Sequence, residues 1–222
     1  MNPDQWRTYL VTQQSLSAGR STETVVEAAI EGGIDAVQLR EKDTSAQHRI
    51  ELGERLRELT GAADIDLIVN DRIDIAYAVG ADGVHLGQSD PSVSTAREIL
   101  GPEATIGVSV STVSEARLAA IGGADYLGVG AVYGTDSKPD AETAEDGLGV
   151  DQLAKVADAV TLPIVAIGGV TPENASGPIQ AGASGVAAIS AITAADDPTA
   201  ATHELREAVD AAVENKEGAA DD

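Results

Sequence analysis

Arg40 and Lys42 follow the apolar run Val37-Gln38-Leu39, and Glu41 stands between them. A plain core strand has no use for two cations at its end, so the stretch reads as a strand that delivers them to a multiply charged anion. Asp71 and Asp90 follow two other apolar runs and could share one divalent cation. Mg²⁺ suits such a pair, because it takes one or two carboxylates and fills its octahedron with water and substrate phosphate. Each aspartate has an ordinary alternative. Asp71 stands ahead of a helical stretch at 73–79, and Asp90 precedes Pro91 at a first helical position, so either could be an N-cap. Taken together with Arg40, Lys42 and Lys138, they make a set too large for one phosphate and suited to a diphosphate.

A second anion seat is suggested by Gly168-Gly169, ahead of a helix expected near Thr171-Pro172, with Ser190 at the next strand end. Backbone N–H groups at a helix start bind phosphate, and glycine allows close approach; a plain tight turn is the alternative. Thr135-Asp136-Ser137-Lys138 offers two hydroxyls and a cation for phosphoryl oxygens, or is a solvated turn. Ser109, Asn70 and Ile189 also stand at strand ends. His85, between Val84 and Leu86, reads as a satisfied interior histidine, while His48 and His203 fall on helix surfaces. No Ser/His/Asp or HExxH pattern supports hydrolysis by those routes.

These residues need a scaffold that collects strand ends, and the chain repeats in a way that provides one. Gly33-Ile34-Asp35-Ala36-Val37, Gly80-Ala81-Asp82-Gly83-Val84 and Gly123-Ala124-Asp125-Tyr126-Leu127 are alike, with a weaker copy at Gly182-Ala183-Ser184-Gly185-Val186. Each reads as a glycine ending a helix, a turn, then a strand. Strands of a second type are expected at 8–12, 67–70, 105–110 and 163–167. Helices are expected at 23–31, 47–59, 73–79, 93–100, 114–121, 151–159, 172–181 and 198–213. Eight near-continuously apolar strands alternating with eight helices predict a parallel sheet closed as a single-domain (β/α)8 TIM barrel over residues 1–215. A doubly wound open sheet is the alternative, but symmetric repetition favours a ring. The active face of such a barrel is built from the loops after the strands. The long connection 133–149, with its acidic insert at 140–146, stands outside the pattern, as does a tail at 216–222 expected to be disordered.

The same stretches resemble the thiamine-phosphate synthase (thiamine-phosphate pyrophosphorylase) family from about Tyr9 to Ile192. The resemblance rests on Val37-Gln38-Leu39-Arg40-Glu41-Lys42-Asp43, Val69-Asn70-Asp71-Arg72, Gly83-Val84-His85-Leu86-Gly87-Gln88, Gly107-Val108-Ser109 and Ile167-Gly168-Gly169-Val170, in that order. It implies a TIM barrel that joins hydroxymethylpyrimidine diphosphate to thiazole phosphate, releasing pyrophosphate, by a dissociative mechanism. It further implies that Gln38, Leu39, Arg40, Glu41, Lys42, Asn70, Ser109 and Lys138 hold the pyrimidine diphosphate. Asp71 and Asp90 would bind Mg²⁺, and Thr135, Asp136, Ser137, Gly168, Gly169, Ile189 and Ser190 the thiazole phosphate. Arg40, Lys42, Lys138 and Ser109 would be the catalytic set. The sequence departs from the family where Tyr133-Gly134 replaces Phe-Pro, Ser137 replaces a threonine, and Ser111 stands where a histidine is common. A thiazole tautomerase-like relative would lack the full cation and aspartate set, an isomerase would need an acid–base pair, and a non-catalytic binding protein would release no pyrophosphate.

Composition narrows the setting. The chain of 222 residues has no cysteine, which fits a reducing interior, and neither a signal peptide nor an apolar membrane span is read in it, so a cytoplasmic protein is expected. With 14 Lys+Arg against 37 Asp+Glu and a net charge of -23, it lacks a basic footprint for nucleic acid, and an anionic membrane would repel it. The partners expected are small molecules; a homo-oligomer is left open. The acids are spread over helices and loops, as on a surface adapted to high salt, where repulsion is screened within a few ångströms; a surface that attracts cationic partners is the alternative. The salt-adapted surface predicts that circular dichroism loses its helical signal in dilute buffer and regains it in molar salt. An unchanged spectrum without salt would remove that reading.

Overall fold

The apolar runs become short strands and the intervening stretches become helices, several of them started by a side-chain cap. In the computed structural model, which describes residues 2–42, 44–135, 137 and 147–220, the strands are β1 (Thr8–Val11), β2 (Ala36–Leu39), β3 (Asp66–Asn70), β4 (Gly83–Leu86), β5 (Thr105–Val110), β6 (Tyr126–Gly130), β7 (Ile164–Ile167) and β8 (Gly185–Ala188). All neighbours pair in parallel, and β8 returns to β1, with Tyr9 opposite Ala187, so the barrel closes as expected. The helices are α1 (Thr22–Glu31), α2 (Ala46–Ala63), α3 (Ile73–Val79), α4 (Val93–Leu100), α5 (Val113–Ile121), α6 (Val150–Ala157), α7 (Ser176–Gln180), α8 (Ser190–Thr193) and α9 (Pro198–Ala220). Ser21, Ser45 and Ser92 each accept a backbone N–H at the start of α1, α2 and α4, and Thr112 forms a capping box with Glu115 on α5. Among the described residues no helix is long and apolar enough to cross a membrane.

Strand alternation splits the core in two. Leu10, Val37, Leu67, Val84, Ile106 and Leu127 face outward and pack beneath the helices. Tyr9, Ala36, Ile68, Tyr126, Val165 and Ala187 face inward, with Trp6 packed on them from below. The one Trp and two of the four Tyr of a chain without Phe therefore fill the barrel. Trp6 meets Tyr126 edge-on at 5.0 Å between ring centroids, and its Nε1 donates to Asp66 at 2.9 Å.

The sequence repeat is a structural clamp at the end of the barrel opposite the strand tips. In three copies an aspartate carboxylate accepts an N–H from the first or second residue of the preceding strand. Asp35 takes Thr8 N at 2.9 Å, Asp82 takes Leu67 N at 2.8 Å and Asp125 takes Ile106 N at 2.7 Å. Each carboxylate is also gripped by an arginine, Arg206, Arg57 and Arg97 respectively. Such bidentate or charge-assisted bonds hold a strand end firmly. The fourth copy has Ser184 instead, and Arg7 reaches only its carbonyl, at 3.0 Å.

Three expectations change. The helix expected at 172–181 shrinks to α7, because Asn174 folds the chain into a turn, accepting from Thr171 N and donating to Gly169 O, both at 2.9 Å. After β8 the chain adds α8, which no sequence signal announced. The final helix runs to Ala220, past residue 215 where a disordered tail was expected; Lys216 Nζ donates to Ile179 O at 2.9 Å and ties it to α7. Most of the connection 133–149, including the insert 140–146, lies outside the described residues.

Gly107 opposes the Tyr126 ring: a Cβ there would lie 2.1 Å from Tyr126 Cζ. Gly107→Ala should therefore destabilise the protein by about 1–3 kcal/mol through overpacking. Gly61, on α2 with nothing within 4 Å of such a Cβ, is the control. Gly61→Ala should stabilise by about 0.5–1 kcal/mol, raising the melting temperature by a few degrees. Thermal melts of both variants decide; equal melting temperatures would refute the packing account.

Candidate active site

At the strand tips alternation continues past β2. Arg40 turns inward: its N donates to Thr12 Oγ1 at 3.0 Å and its Nη1 to Gln13 Oε1 at 2.7 Å, so the tip of β1 aims the guanidinium. Glu41 turns the other way. Its two carboxylate oxygens each accept Gln14 N at 3.1 Å, and Oε1 also accepts Thr22 Oγ1 at 3.0 Å. This carboxylate ties the β1–α1 loop and does not face the cleft. Leu39 likewise points outward into the helix-side core. Lys42 returns to the cleft, with Nζ 4.0 Å from Asp71 Oδ2.

Neither aspartate is the helix cap that the sequence allowed. Arg72 precedes α3 without a side-chain cap bond, and α4 is capped by Ser92. Asp71 instead sits in the left-handed region at φ 64, uncommon for a residue with a side chain. Its carboxyl pKa is pushed up to about 6, first by burial and then by its hydrogen bond and repulsion with Asp90; Lys42 and Arg40 oppose the shift. Asp90 Oδ2 accepts Gly87 N at 2.6 Å, which fixes it beside Asp71. Two carboxylates crowded until one resists ionisation form a donor pair that a divalent cation would relieve, and the pair fits Mg²⁺. Among the described residues no group of three or more His, Cys, Asp or Glu could hold a metal. A cation here would thus complete its shell from water and ligand oxygens.

These residues line a cleft of about 490 Å³ that includes Arg40, Lys42, Asn70, Asp71, Asp90 and Ser109. Gln38 lies in the barrel beneath it, 2% exposed; its Nε2 donates to Tyr9 OH at 3.0 Å, and its Oε1 has no hydrogen-bond partner. Gln88 Nε2 holds Ser109 O at 2.7 Å. Ser111 is in the cleft wall, its N and Oγ bonded to Glu115 Oε2.

A second cavity of about 220 Å³ is lined by Thr135, Ser137, Gly168, Gly169, Ile189 and Ser190, among others. It adjoins the first, since Thr135, Ile167 and Gly168 border both. Ser137 Oγ donates to Ser190 Oγ at 3.2 Å, linking the loop after β6 to the tip of β8. Gly168 and Gly169 take φ 102 and 66, and a Cβ on Gly168 would lie 2.5 Å from Ala131 Cβ. Both positions need glycine. The helix expected to follow them begins only at Ser176, so the short helix beside this cavity is α8, in the place where this fold commonly seats phosphate.

The structure thus gathers Arg40, Lys42, Asn70, Asp71, Asp90 and Ser109 in one cleft, and Thr135, Ser137, Gly168, Gly169, Ile189 and Ser190 in the next. Asp136 and Lys138 lie outside the described residues. Thr12 and Gln13 were missed because the strand tips were read only from the second strand onward. The position of Gln13 after β1, matching that of Arg40 after β2, was the available signal.

Comparison with known proteins points to one family and to this fold. The family model described as Thiamine monophosphate synthase matches residues 8–192. The chain is 58% identical over 205 residues to thiamine-phosphate synthase of Haloarcula marismortui, covering 92% of this chain and 97% of that one. It is 56% identical over 207 residues to thiamine-phosphate synthase of Natronomonas pharaonis, covering 93% and 96%. Among solved structures, thiamine phosphate pyrophosphorylase from Pyrococcus furiosus superposes with a TM-score of 0.86 at 38% identity, covering 95% of this chain and 98% of that one.

The raised Asp71 pKa sets a stability test. A carboxyl whose folded pKa is about 6, against an ordinary 3.8, stabilises the fold fully below the lower value and loses that contribution as pH rises through the upper one. Asp71→Asn cannot ionise, and asparagine tolerates the left-handed backbone. In metal-free buffer at neutral pH the variant should melt higher than the parent, with the difference gone below about pH 4. Added Mg²⁺ should raise only the parent. Parallel melting curves at every pH would show that neither burial nor Asp90 raises the Asp71 pKa.

Proposed function

The chain belongs to the thiamine-phosphate synthase family, whose members form thiamine phosphate in thiamine biosynthesis, and on that premise we propose that the larger cleft takes the pyrimidine diphosphate and the smaller cavity the thiazole phosphate. The observation that carries this assignment is that the two cavities share a wall at Thr135, Ile167 and Gly168. Among the described residues, one of them collects cations and paired carboxylates, and the other hydroxyls, glycines and apolar side chains. Two anionic substrates of unequal charge fit side by side in that arrangement.

In this assignment Asp71 and Asp90 would hold Mg²⁺, which would neutralise charge on the diphosphate. Arg40, aimed by Gln13, and Lys42 donate to the diphosphate oxygens. Lys138 joins them by its place in the family motif Thr135-Asp136-Ser137-Lys138. Gln38, enclosed beneath the cleft and outside its lining, would underlie the pyrimidine as part of its floor. Ser137, Ser190 and the backbone at Gly168-Gly169 would hold the thiazole phosphate.

The reaction then needs little acid–base work. The bond between the pyrimidine methylene carbon and the diphosphate oxygen breaks, and pyrophosphate leaves with the electron pair. The thiazole nitrogen supplies its lone pair to the resulting cation and forms the new C–N bond, leaving the charge on the thiazolium. The protein's part is to stabilise the leaving group and to hold the second substrate in line. Phosphate esters do not cross membranes unaided, so an enzyme using two of them is placed in the cytoplasm. The net charge of -23 is assigned to a salt-adapted surface.

Pyrophosphate release, assayed with both substrates and Mg²⁺, tests the assignment. Arg40→Ala should lower turnover about a hundredfold, as expected for a donor aimed at developing charge. Lys138→Ala should lower turnover far more than it weakens thiazole-phosphate binding. Wild-type turnover in either variant would take that residue out of the site.

A further inference from the structure

A file of hydrogen-bonded side chains runs through the barrel interior and ends at the cleft. Gln38 Nε2 donates to Tyr9 OH at 3.0 Å, and Tyr9 OH lies 3.1 Å from Tyr126 OH. Tyr126 OH lies 2.9 Å from His85 Nδ1, and His85 Nε2 lies 2.8 Å from Ser109 Oγ. The first four are almost wholly enclosed, with exposures of 2% for Gln38 and Tyr9, 0% for Tyr126 and 6% for His85. Ser109 alone borders the cleft. The file has room only because two facing positions lack side chains. A Cβ on Gly107 would strike the Tyr126 ring, and one on Gly128 would lie 2.7 Å from His85 Cε1.

The direction of the file follows from donor and acceptor counts. An amide nitrogen can only donate, so Tyr9 accepts from Gln38 and has its own proton left for Tyr126. Tyr126 donating to Tyr9 instead would leave the enclosed Tyr9 proton without an acceptor, so Tyr126 gives its proton to His85 Nδ1, which is then the bare nitrogen. His85 Nε2 therefore carries the ring proton and donates to Ser109, whose hydroxyl proton is left for the cleft. Turning the Gln38 amide around would reverse every bond, but it would bury an NH₂ group without acceptors in place of a single carbonyl oxygen, the worse orphan. Burial also pushes the Tyr126 hydroxyl well above its ordinary pKa, which keeps its proton in place.

We propose that Tyr126 and His85 are positioning residues, which fix the ring tautomer and thereby hold the Ser109 hydroxyl as a donor aimed into the cleft. The catalytic consequence rests on the assignment of that cleft to the pyrimidine diphosphate; the tautomer does not. In this arrangement Ser109 meets an acceptor on the substrate without reorienting, an advantage of preorganised dipoles.

The test is ¹⁵N NMR of histidine-labelled protein, with the His85 signals identified by their loss in His85→Gln. The expected spectrum shows protonated Nε2 and bare Nδ1. Protonated Nδ1, or two protonated nitrogens, overturns the proposal on the wild-type protein alone. In Tyr126→Phe, which keeps the ring shape, the tautomer preference should relax. Turnover should then fall about tenfold, the scale at which outer partners orient a histidine, while the KM for thiazole phosphate stays unchanged. Wild-type turnover in folded Tyr126→Phe would overturn the positioning role. Wild-type turnover in Ser109→Ala would instead sink the cleft assignment and leave the tautomer result standing.

Discussion

The structure depends on what a closed ring of four- to six-residue strands can enclose. Tyr9 and Tyr126, with Trp6 beneath them, take most of the interior, and glycines at 107 and 128 give way to Tyr126 and His85. Rings of this kind bring hydroxyl groups with them, and a buried hydroxyl needs a partner. The partners found are Gln38, each other, His85 and finally Ser109 at the mouth. Core packing and active-site geometry are thus parts of one assembly. A volume change deep in the barrel is felt at the cleft through bonds of about 3 Å.

Charge is arranged with similar economy. The chain has 14 Lys+Arg, and those with assigned roles serve two ends of the barrel. Arg57, Arg97 and Arg206 close the clamps at one end, and Arg40 and Lys42 stand at the other beside Asp71 and Asp90. The two aspartates are held together against their repulsion, one by a strained backbone and the other by Gly87 N. Such an arrangement stores a preference for a cation before any ligand arrives.

The strands, their order and the closed ring were legible because the Gly-x-Asp repeat, with Ser184 in its fourth copy, marks the start of every second strand, and because strands covered on both faces are apolar throughout. The gathering of Arg40, Lys42, Asp71 and Asp90 was legible from their shared position after strands. Several details were not. Whether Asp71 caps a helix depends on its backbone angle, which the residue type does not reveal. The outward turn of Glu41 was available in the alternation Gln38 in, Leu39 out, Arg40 in, but only once the strand is taken to continue past its last ladder bond. The turn at Thr171 is made by the Asn174 side chain, three residues on and within local sequence, whereas α8 is met at Ser190 by Ser137 of the loop after β6, a contact that local sequence does not contain.

The three arginine clamps are not equivalent in time. Arg57 and Arg97 stand 25 and 28 residues upstream of the aspartates they grip, so each joins neighbouring parts of the chain. Asp35 is gripped by Arg206, on α9, which is 171 residues away. The arginine grip at β1–β2 can therefore form only after the last helix has been synthesised, although Asp35 already holds Thr8 N without it.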